Sequence, residues 1–249
     1  MISVCILSKN CSQTLQATLD SVKSFPEIIL LDNGSTDETL VIAARYSNVK
    51  IHCSPFIGFG PLRDRAADLA SHDWILALDS DETLSNPLLQ ELAALPLNDP
   101  HTAYSLPRHN YYNGKRIRGC GWGNDQVPRL YHRKTTHFGL AQVHESLQLQ
   151  GCSLVRLRSP LLHIPMRTTE DFLSKMQHYS TLFAQQHAGR RKSSFSRALG
   201  HSFFAFMKSY ILQRGFLDGK EGFSISLYNA NTTFYKYIKL YTNNLNLLQ

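Results

Sequence analysis

Three short apolar runs and one mixed strand-like segment, each closed or followed by a polar residue, alternate with segments of helical periodicity in the first eighty residues. They are Ile2–Ser8, Glu27–Leu31 ending at Asp32, Val49–Cys53 ahead of Ser54, and Trp74–Leu78 ending at Asp79. Continuous runs of this kind suit strands buried on both faces. Their alternation with helices predicts a parallel sheet wound with right-handed crossovers. Ser12 is placed to cap the first helix, whose apolar residues Leu15, Leu19 and Val22 recur at helical spacing. Asn33-Gly34-Ser35 is turn chemistry, Thr36-Asp37-Glu38 opens a second helix, and Arg63 to Ala70 reads as a third.

Open parallel sheets bind ligands outside the carboxyl ends of their strands. Ser8, Asp32, Ser54 and Asp79 all fall at such ends. Asp32 has the chemistry to accept from a ribose hydroxyl or a base imide; its other reading is a turn or cap residue. The fourth run delivers Asp79-Ser80-Asp81, and residues two apart share a face on a regular strand. Paired carboxylates there suit a Mg²⁺ or Mn²⁺ ion working with substrate phosphates. Gly58-Phe59-Gly60 lacks the third glycine and the acidic partner of a dinucleotide fingerprint, although Arg63 just beyond it is long enough to reach a phosphate.

Two reaction classes fit Asp79-Ser80-Asp81-Glu82-Thr83: metal-assisted use of a nucleotide diphosphate, and a phosphatase with Asp79 as nucleophile. The second needs a later acidic pair after a strand. Downstream of residue 100 the acids are only Asp125, Glu145, Glu170, Asp171, Asp218 and Glu221, and Glu170-Asp171 opens a helix. That weakens the phosphatase.

Composition divides the chain. Residues 1–100 carry 6 Lys/Arg against 13 Asp/Glu, and residues 101–249 carry 20 against 6. The acidic half suits a metal and the basic half an anionic partner; two differently solvated surfaces are the plainer reading. The 43% hydrophobic content supports a packed core in a chain of 249 residues. Five cysteines without Cys-x-x-Cys spacing point to reduced thiols in a cytoplasmic setting. The first residues are strand-like, without a basic leader, and no apolar run approaches the ~18 residues of a spanning helix.

Beyond residue 100, shorter strands are expected at Tyr104–Pro107, Arg129–Tyr131 and Leu147–Arg156, and helices after Pro165, one starting at Thr168/Thr169 with Asp171 and one over Phe195–Gln213. The divisions read as 1–100, an α/β part; 101–165, a mixed part; and 166–249, a helical extension.

The segments Ile-Ser-Val-Cys-Ile-Leu-Ser-Lys-Asn, Leu-Asp32-Asn-Gly-Ser35-Thr-Asp37-Glu and Leu-Asp79-Ser-Asp81-Glu, in this order, resemble family 2 glycosyltransferases of the GT-A fold. Gly58-Phe-Gly-Pro-x-Arg63, Gly121-Trp122, Pro128-Arg129-Leu130, Val143-His144-Glu145 and Asp218-Gly219-x-x-Gly222 are similar to the bacterial lipopolysaccharide-core glucosyltransferase subgroup. Leu62 and Asp64 depart from it, where Gln and Asn are usual.

The resemblance implies an α/β GT-A domain, a mostly parallel sheet flanked by helices, in which 1–100 is the nucleotide-sugar half and 101–165 the acceptor half, with 166–249 a C-terminal helical extension. It implies an inverting enzyme that takes a hexose, glucose from UDP-glucose, to a lipid-linked saccharide such as a lipopolysaccharide inner core. Ser8, Asp32, Ser35, Arg63 and Asp79 would hold the nucleotide sugar, and Asp79 and Asp81 the Mg²⁺ or Mn²⁺. Inversion needs a general base for the acceptor hydroxyl. Glu145 is the first candidate and Asp125 the second; an arginine ion pair is the alternative role for Glu145.

Trp122 has the face to stack on a sugar, or to anchor packing. Arg116, Arg118 and Arg129 match phosphate oxygens of an anionic acceptor, or serve as solvated arginines. His132, His137, His144 and His163 lie in the acceptor half, where one would complete a metal shell and the rest be structural. Phe203, Phe204, Phe206, Met207, Tyr210 and Ile211, beside Arg197, Lys208 and Arg214, read as a surface for anionic membrane or as ordinary helix packing. The basic run Arg190-Arg191-Lys192 and Tyr235-Lys236-Tyr237-Ile238-Lys239 belong to the same signal. These features predict peripheral contact with the cytoplasmic face of an inner membrane. A non-enzymatic module for polyanions or membrane is the third reading; no segment resembles a nucleic-acid fold.

Overall fold

The computed structural model describes residues 1–123, 125–139 and 146–247. Strict alternation runs through β1 (Ile2–Ser8), α1 (Leu15–Val22), β2 (Glu27–Asp32), α2 (Thr39–Ala43), β3 (Val49–Cys53), α3 (Phe59–Asp68) and β4 (Trp74–Asp79). Then come β5 (Glu82–Leu84), α4 (Asn86–Ala93), β6 (Thr102–Tyr112), β7 (Lys115–Arg116), β8 (Asp125–His132), β9 (Ser153–Arg156) and β10 (Leu161–His163). Helices α5 (Thr169–His187), α6 (Phe195–Met207) and α7 (Gly219–Asn246) complete the chain. Two compact units result: Met1–Arg108 with Asp125–His163, and His109–Asn124 with Ile164–Gln249.

The first unit is an α/β sheet in the order β3-β2-β1-β4-β8-β6-β10-β5. β1 pairs in parallel with β2 and β4, and β2 with β3, as the alternation predicts. From β8 onward the sheet is mixed: β8 runs antiparallel to β4 and to β6, β9 parallel to β6, and β5 antiparallel to β10. Burial accounts for the change. Every residue of β2 is buried, whereas the first half of β8 is partly or fully open to solvent, a pattern antiparallel strands tolerate. Leu15, Leu19 and Val22 of α1 and Leu88 and Leu92 of α4 join one core cluster with Val4, Ile6, Leu30, Leu76 and Leu78. Truncating a fully buried leucine such as Leu19 costs about 2–5 kcal/mol.

Local boundaries shift for identifiable reasons. α1 begins at Leu15, and Ser12 does not cap it: the Ser12 amide instead donates to Asp37 Oδ2 at 3.1 Å. α2 begins at Thr39, whose amide donates to Asp37 Oδ1 at 3.0 Å, so Asp37 closes the lead-in rather than sitting in the first turn. α3 starts four residues before Arg63, at Phe59, after Gly58 with φ +107°, a conformation that favours glycine. Thr168 and Asp171 form a reciprocal capping box on α5. The expected Phe195–Gln213 helix is α6 followed by a π-helical turn, Lys208–Leu212.

The second unit packs Tyr112, Ile117, Cys120, Met166, Phe172 and Ile225 together. Asp218 is its polar anchor: its carboxylate accepts from the Gly119 amide at 2.6 Å and the Arg118 amide at 3.1 Å. A Cβ on Gly222 would lie 1.9 Å from the Gly215 carbonyl oxygen, so only glycine allows that approach. The Asp218-Gly219-x-x-Gly222 segment thus has a packing role in this unit.

Candidate active site

Register aligns the polar strand ends of the first unit. Ser8 of β1 faces Asp32 of β2, and Leu7 faces Asp79 of β4. Asp32 is 1% exposed, and each of its oxygens has two donors. Oδ1 accepts from Ser8 Oγ at 2.8 Å and Ser35 Oγ at 2.5 Å; Oδ2 accepts from the amides of Gly34 at 2.9 Å and Ser35 at 2.8 Å. A carboxylate has about four lone-pair sites, so the loop's own donors use them all. Burial acts to raise this carboxyl, but the Ser35, Ser8 and Gly34 bonds outweigh it and lower its pKa. Asn10 ties the loop after β1 to the same turn, accepting from the Thr36 amide at 2.8 Å and donating its own amide to Ser35 Oγ at 2.9 Å. Ser8, Asp32 and Ser35 therefore form one rigid rim.

Asp79 and Asp81 separate. β4 ends at Asp79, the chain turns through Ser80-Asp81, and β5 opens at Glu82, so the shared face expected of a continuing strand does not form. Thr18 Oγ1 holds the turn by donating to the Ser80 carbonyl at 3.0 Å. Asp79 faces two guanidinium groups: Arg63 Nη2 lies 2.5 Å from Oδ1 and Arg129 Nη2 2.5 Å from Oδ2. Burial alone would raise its carboxyl, yet Arg129 and Arg63 hold it well below the usual carboxylate range. The Arg63 guanidinium also stands over the Phe138 ring, 5.2 Å from its centroid.

The network continues through Glu82 and Arg108, to which sequence reasoning gave no role. Glu82, fully buried, accepts from the Asp79 amide at 2.9 Å, from Arg129 at 2.7 Å and from Arg108 at 3.1 Å. Arg108 in turn pairs with Asp125 at 2.7 Å. Arg129, expected at an acceptor phosphate, is 6% exposed and lies between Asp79 and Glu82. A charged residue inside the apolar Val-Pro-Arg-Leu-Tyr run was the available signal for that burial.

Asp81 turns the other way. Antiparallel pairing of β5 and β10 sets His163 opposite Glu82 and brings its Nε2 to 3.6 Å from Asp81 Oδ2. The pair offers one carboxylate and one imidazole, the first 28% exposed and the second 12%. Among the described residues no three His, Cys, Asp or Glu side chains cluster as a metal site. Two protein ligands still fit a cation that keeps waters and takes substrate phosphate oxygens. Asp79 fits it less well, because an ion there displaces a guanidinium.

The remaining candidates divide. Glu145 lies outside the described residues, as does His144. Trp122, Arg116 and Arg118 belong to the second unit, where the Trp122 carbonyl accepts from Asn110 Nδ2 at 2.9 Å and Trp122 packs beside its core. Of the two departures from the subgroup pattern, Leu62 is fully buried in the first unit's core, and Asp64 accepts from the Phe138 amide at 2.7 Å. An amide oxygen accepts the same bond, so Asp64 keeps the role open to an Asn.

Anionic and hydroxyl side chains gathered at the carboxyl ends of parallel strands are the arrangement with which open α/β sheets bind ligands. The chain belongs to family 2 of the glycosyltransferases, whose description residues 3–156 match. It is 27% identical to an uncharacterized glycosyltransferase of Rickettsia prowazekii, over 96% of this chain and 86% of that one. It is 25% identical to the lipopolysaccharide core biosynthesis glycosyltransferase LpsC of Rhizobium meliloti, over 96% and 92% respectively. Among solved structures, S. aureus TarS 1-349 in complex with UDP-GlcNAc aligns with a TM-score of 0.49 at 15% identity, covering 100% of this chain and 91% of that one.

Proposed function

We propose that this glycosyltransferase moves a hexose, glucose from UDP-glucose, onto a sugar of a lipid-linked saccharide of the lipopolysaccharide inner-core type, with inversion, at the cytoplasmic face of the inner membrane. The observation that carries the donor reading is the rim made by Ser8, Asp32 and Ser35 at the carboxyl ends of β1 and β2, with β4 ending in register beside β1 at Asp79, two residues before Asp81. Asp32 acts by fixing the Asn33–Ser35 loop, whose hydroxyl and backbone groups then meet the nucleoside. The basic second half and the likeness to LpsC support an anionic lipopolysaccharide acceptor.

Asp81 and His163 would hold the Mg²⁺ or Mn²⁺. When bound, the cation supplies charge neutralisation for the departing diphosphate. Arg63 and Arg129 keep Asp79 ionised and in place, and the Asp79–Glu82–Arg108 chain sets the turn that presents Asp81. Glu145 stays the first candidate for the base that takes the acceptor proton, on the motif that contains it, and Asp125, paired with Arg108, the second. Trp122, Arg116 and Arg118 are candidates for acceptor contact on their chemistry alone.

The phosphatase reading requires Asp79 as an in-line nucleophile, but both of its oxygens sit in ion pairs at 2.5 Å. The test is UDP release from UDP-glucose with a purified lipopolysaccharide-core acceptor. Mn²⁺-dependent transfer lost in Asp81→Ala supports the proposal; full activity in EDTA, or phosphate-ester hydrolysis through an aspartyl-phosphate, overturns it.

A further inference from the structure

Within the second unit, α6 turns Ala198 and Ser202 toward α7, with Ala198 buried and Ser202 Oγ donating to the Ala230 carbonyl at 2.9 Å. Its opposite side carries Leu199, Phe203 and Phe204, the two phenylalanines 68% and 60% exposed. The turn beyond α6 adds Leu212 at 70% and Leu217 at 66%. Phe206, Tyr210, Phe216 and Phe223 join into one ring cluster: Tyr210 contacts Phe206 at 5.4 Å, Phe223 at 5.8 Å and Phe216 at 6.4 Å between centroids. Clustered exposed apolar groups of this kind mark interaction surfaces rather than chance exposure.

Charge identifies the partner. From Phe172 to Gln249 the sequence holds ten Lys/Arg and two acids, Asp218 and Glu221. Both acids are buried, Asp218 on the amides of Arg118 and Gly119 and Glu221 beside Lys115. The side-chain charge exposed from α6 through α7 is thus entirely cationic, and Lys208, Arg214 and Lys220 flank the apolar residues. A second copy of the chain would meet it with like charge. No helix among the described residues is long and apolar enough to cross a membrane.

We propose that this face, Leu199 to Phe223, docks in the plane of an anionic lipid bilayer, with Phe203, Phe204, Leu212 and Leu217 at the acyl boundary and Lys208, Arg214 and Lys220 among lipid phosphates. Apolar burial and attraction to anionic headgroups act together in such helices. The proposal deepens the functional reading by placing the enzyme at the membrane of a lipid-linked acceptor, and rests on that reading for the acceptor alone.

The experiment is flotation of the full chain with vesicles of phosphatidylcholine alone or with phosphatidylglycerol added, without donor or acceptor. The account expects binding to the anionic vesicles only, weakened at least ~10-fold in Phe203→Ser/Phe204→Ser, in Leu212→Ser/Leu217→Ser and in Lys208→Gln/Lys220→Gln, and weakened by salt. These positions are exposed; circular dichroism and retained UDP-glucose turnover check folding. Equal binding to neutral vesicles, wild-type binding by folded variants, or a dimer that the apolar variants dissolve would overturn it. UDP-glucose turnover without vesicle binding sinks the docking proposal alone; vesicle binding without sugar-nucleotide turnover sinks the functional reading alone.

Discussion

Arg129 donates to Asp79 Oδ2 at 2.5 Å and to Glu82 Oε1 at 2.7 Å, so one buried guanidinium ties the end of β4 to the start of β5 across the turn that carries Asp81. Its charge is held firmly on despite burial, because Asp79 and Glu82 face it.

Removing that cation leaves Asp79 with Arg63 and Glu82 with Arg108, and a buried carboxylate short of one partner. Arg129→Leu is expected to lower the unfolding free energy by ~3–5 kcal/mol in urea titrations. Arg129→Lys keeps the charge and loses less, although one ammonium cannot reproduce a fork between two carboxylates. A loss below ~1 kcal/mol for Arg129→Leu would mean that Asp79 and Glu82 are solvated rather than locked.

Asp32→Asn replaces an acceptor of four donors with a group that brings two N–H donors of its own. The Asn33–Ser35 loop loses its clamp, with ~1–3 kcal/mol of stability by thermal or chemical unfolding. UDP affinity falls with it, by ~10-fold or more on the same scale. Unchanged UDP affinity in a folded Asp32→Asn would separate this rim from the donor site.

Acid stability has a second centre, at the amino ends of the strands. Glu27, 4% exposed, accepts from Lys50 Nζ at 2.6 Å, Ser3 Oγ at 2.5 Å and Ser71 Oγ at 2.6 Å. Burial raises its carboxyl, but the bonds from Lys50, Ser3 and Ser71 bring it from 4.5 down to about 2. A depressed folded pKa contributes stability that is present above the unfolded value and lost as pH falls toward the folded one. Wild-type unfolding free energy is therefore expected to drop between pH 4.5 and about 2 more steeply than that of Glu27→Gln, which starts lower and changes less. Parallel pH curves for the two proteins would refute this.

The parallel half of the sheet was legible because β1, β2 and β4 are buried on both faces, which writes each as an unbroken apolar run with a polar residue at its end. Ser8 and Asp32 could be placed together from that alone, and Ser35 through the motif shared with the family. The arginine–carboxylate chain could not. Glu82 meets Arg108 and Arg129 across 26 and 47 residues, and no local pattern records such pairings. The separation of Asp79 from Asp81 was hidden for a local reason: alternation holds only while the strand continues, and this one turns at Ser80. α7, at 28 residues, was also hidden, since its polar and aromatic residues give it little one-sided character.

Asp81 and His163 stand outside the arginine–carboxylate network, so Asp81→Asn and His163→Ala should leave stability within ~1 kcal/mol of wild type. Asp79→Asn should instead destabilise, since it strips Arg63 and Arg129 of their shared anion. Urea denaturation of the three variants distinguishes the roles; equal losses would contradict the division.

The central claim is that the strand-end crevice of the first unit binds a uridine-diphosphate sugar with a cation at Asp81. Calorimetric titration of UDP-glucose into the full chain, with Mn²⁺ and again with excess EDTA, tests it most directly. The account predicts saturable binding with Mn²⁺ that weakens ~10-fold or more in EDTA and in Asp81→Asn. Binding indifferent to EDTA and to Asp81→Asn, or no binding of any uridine nucleotide, would contradict it.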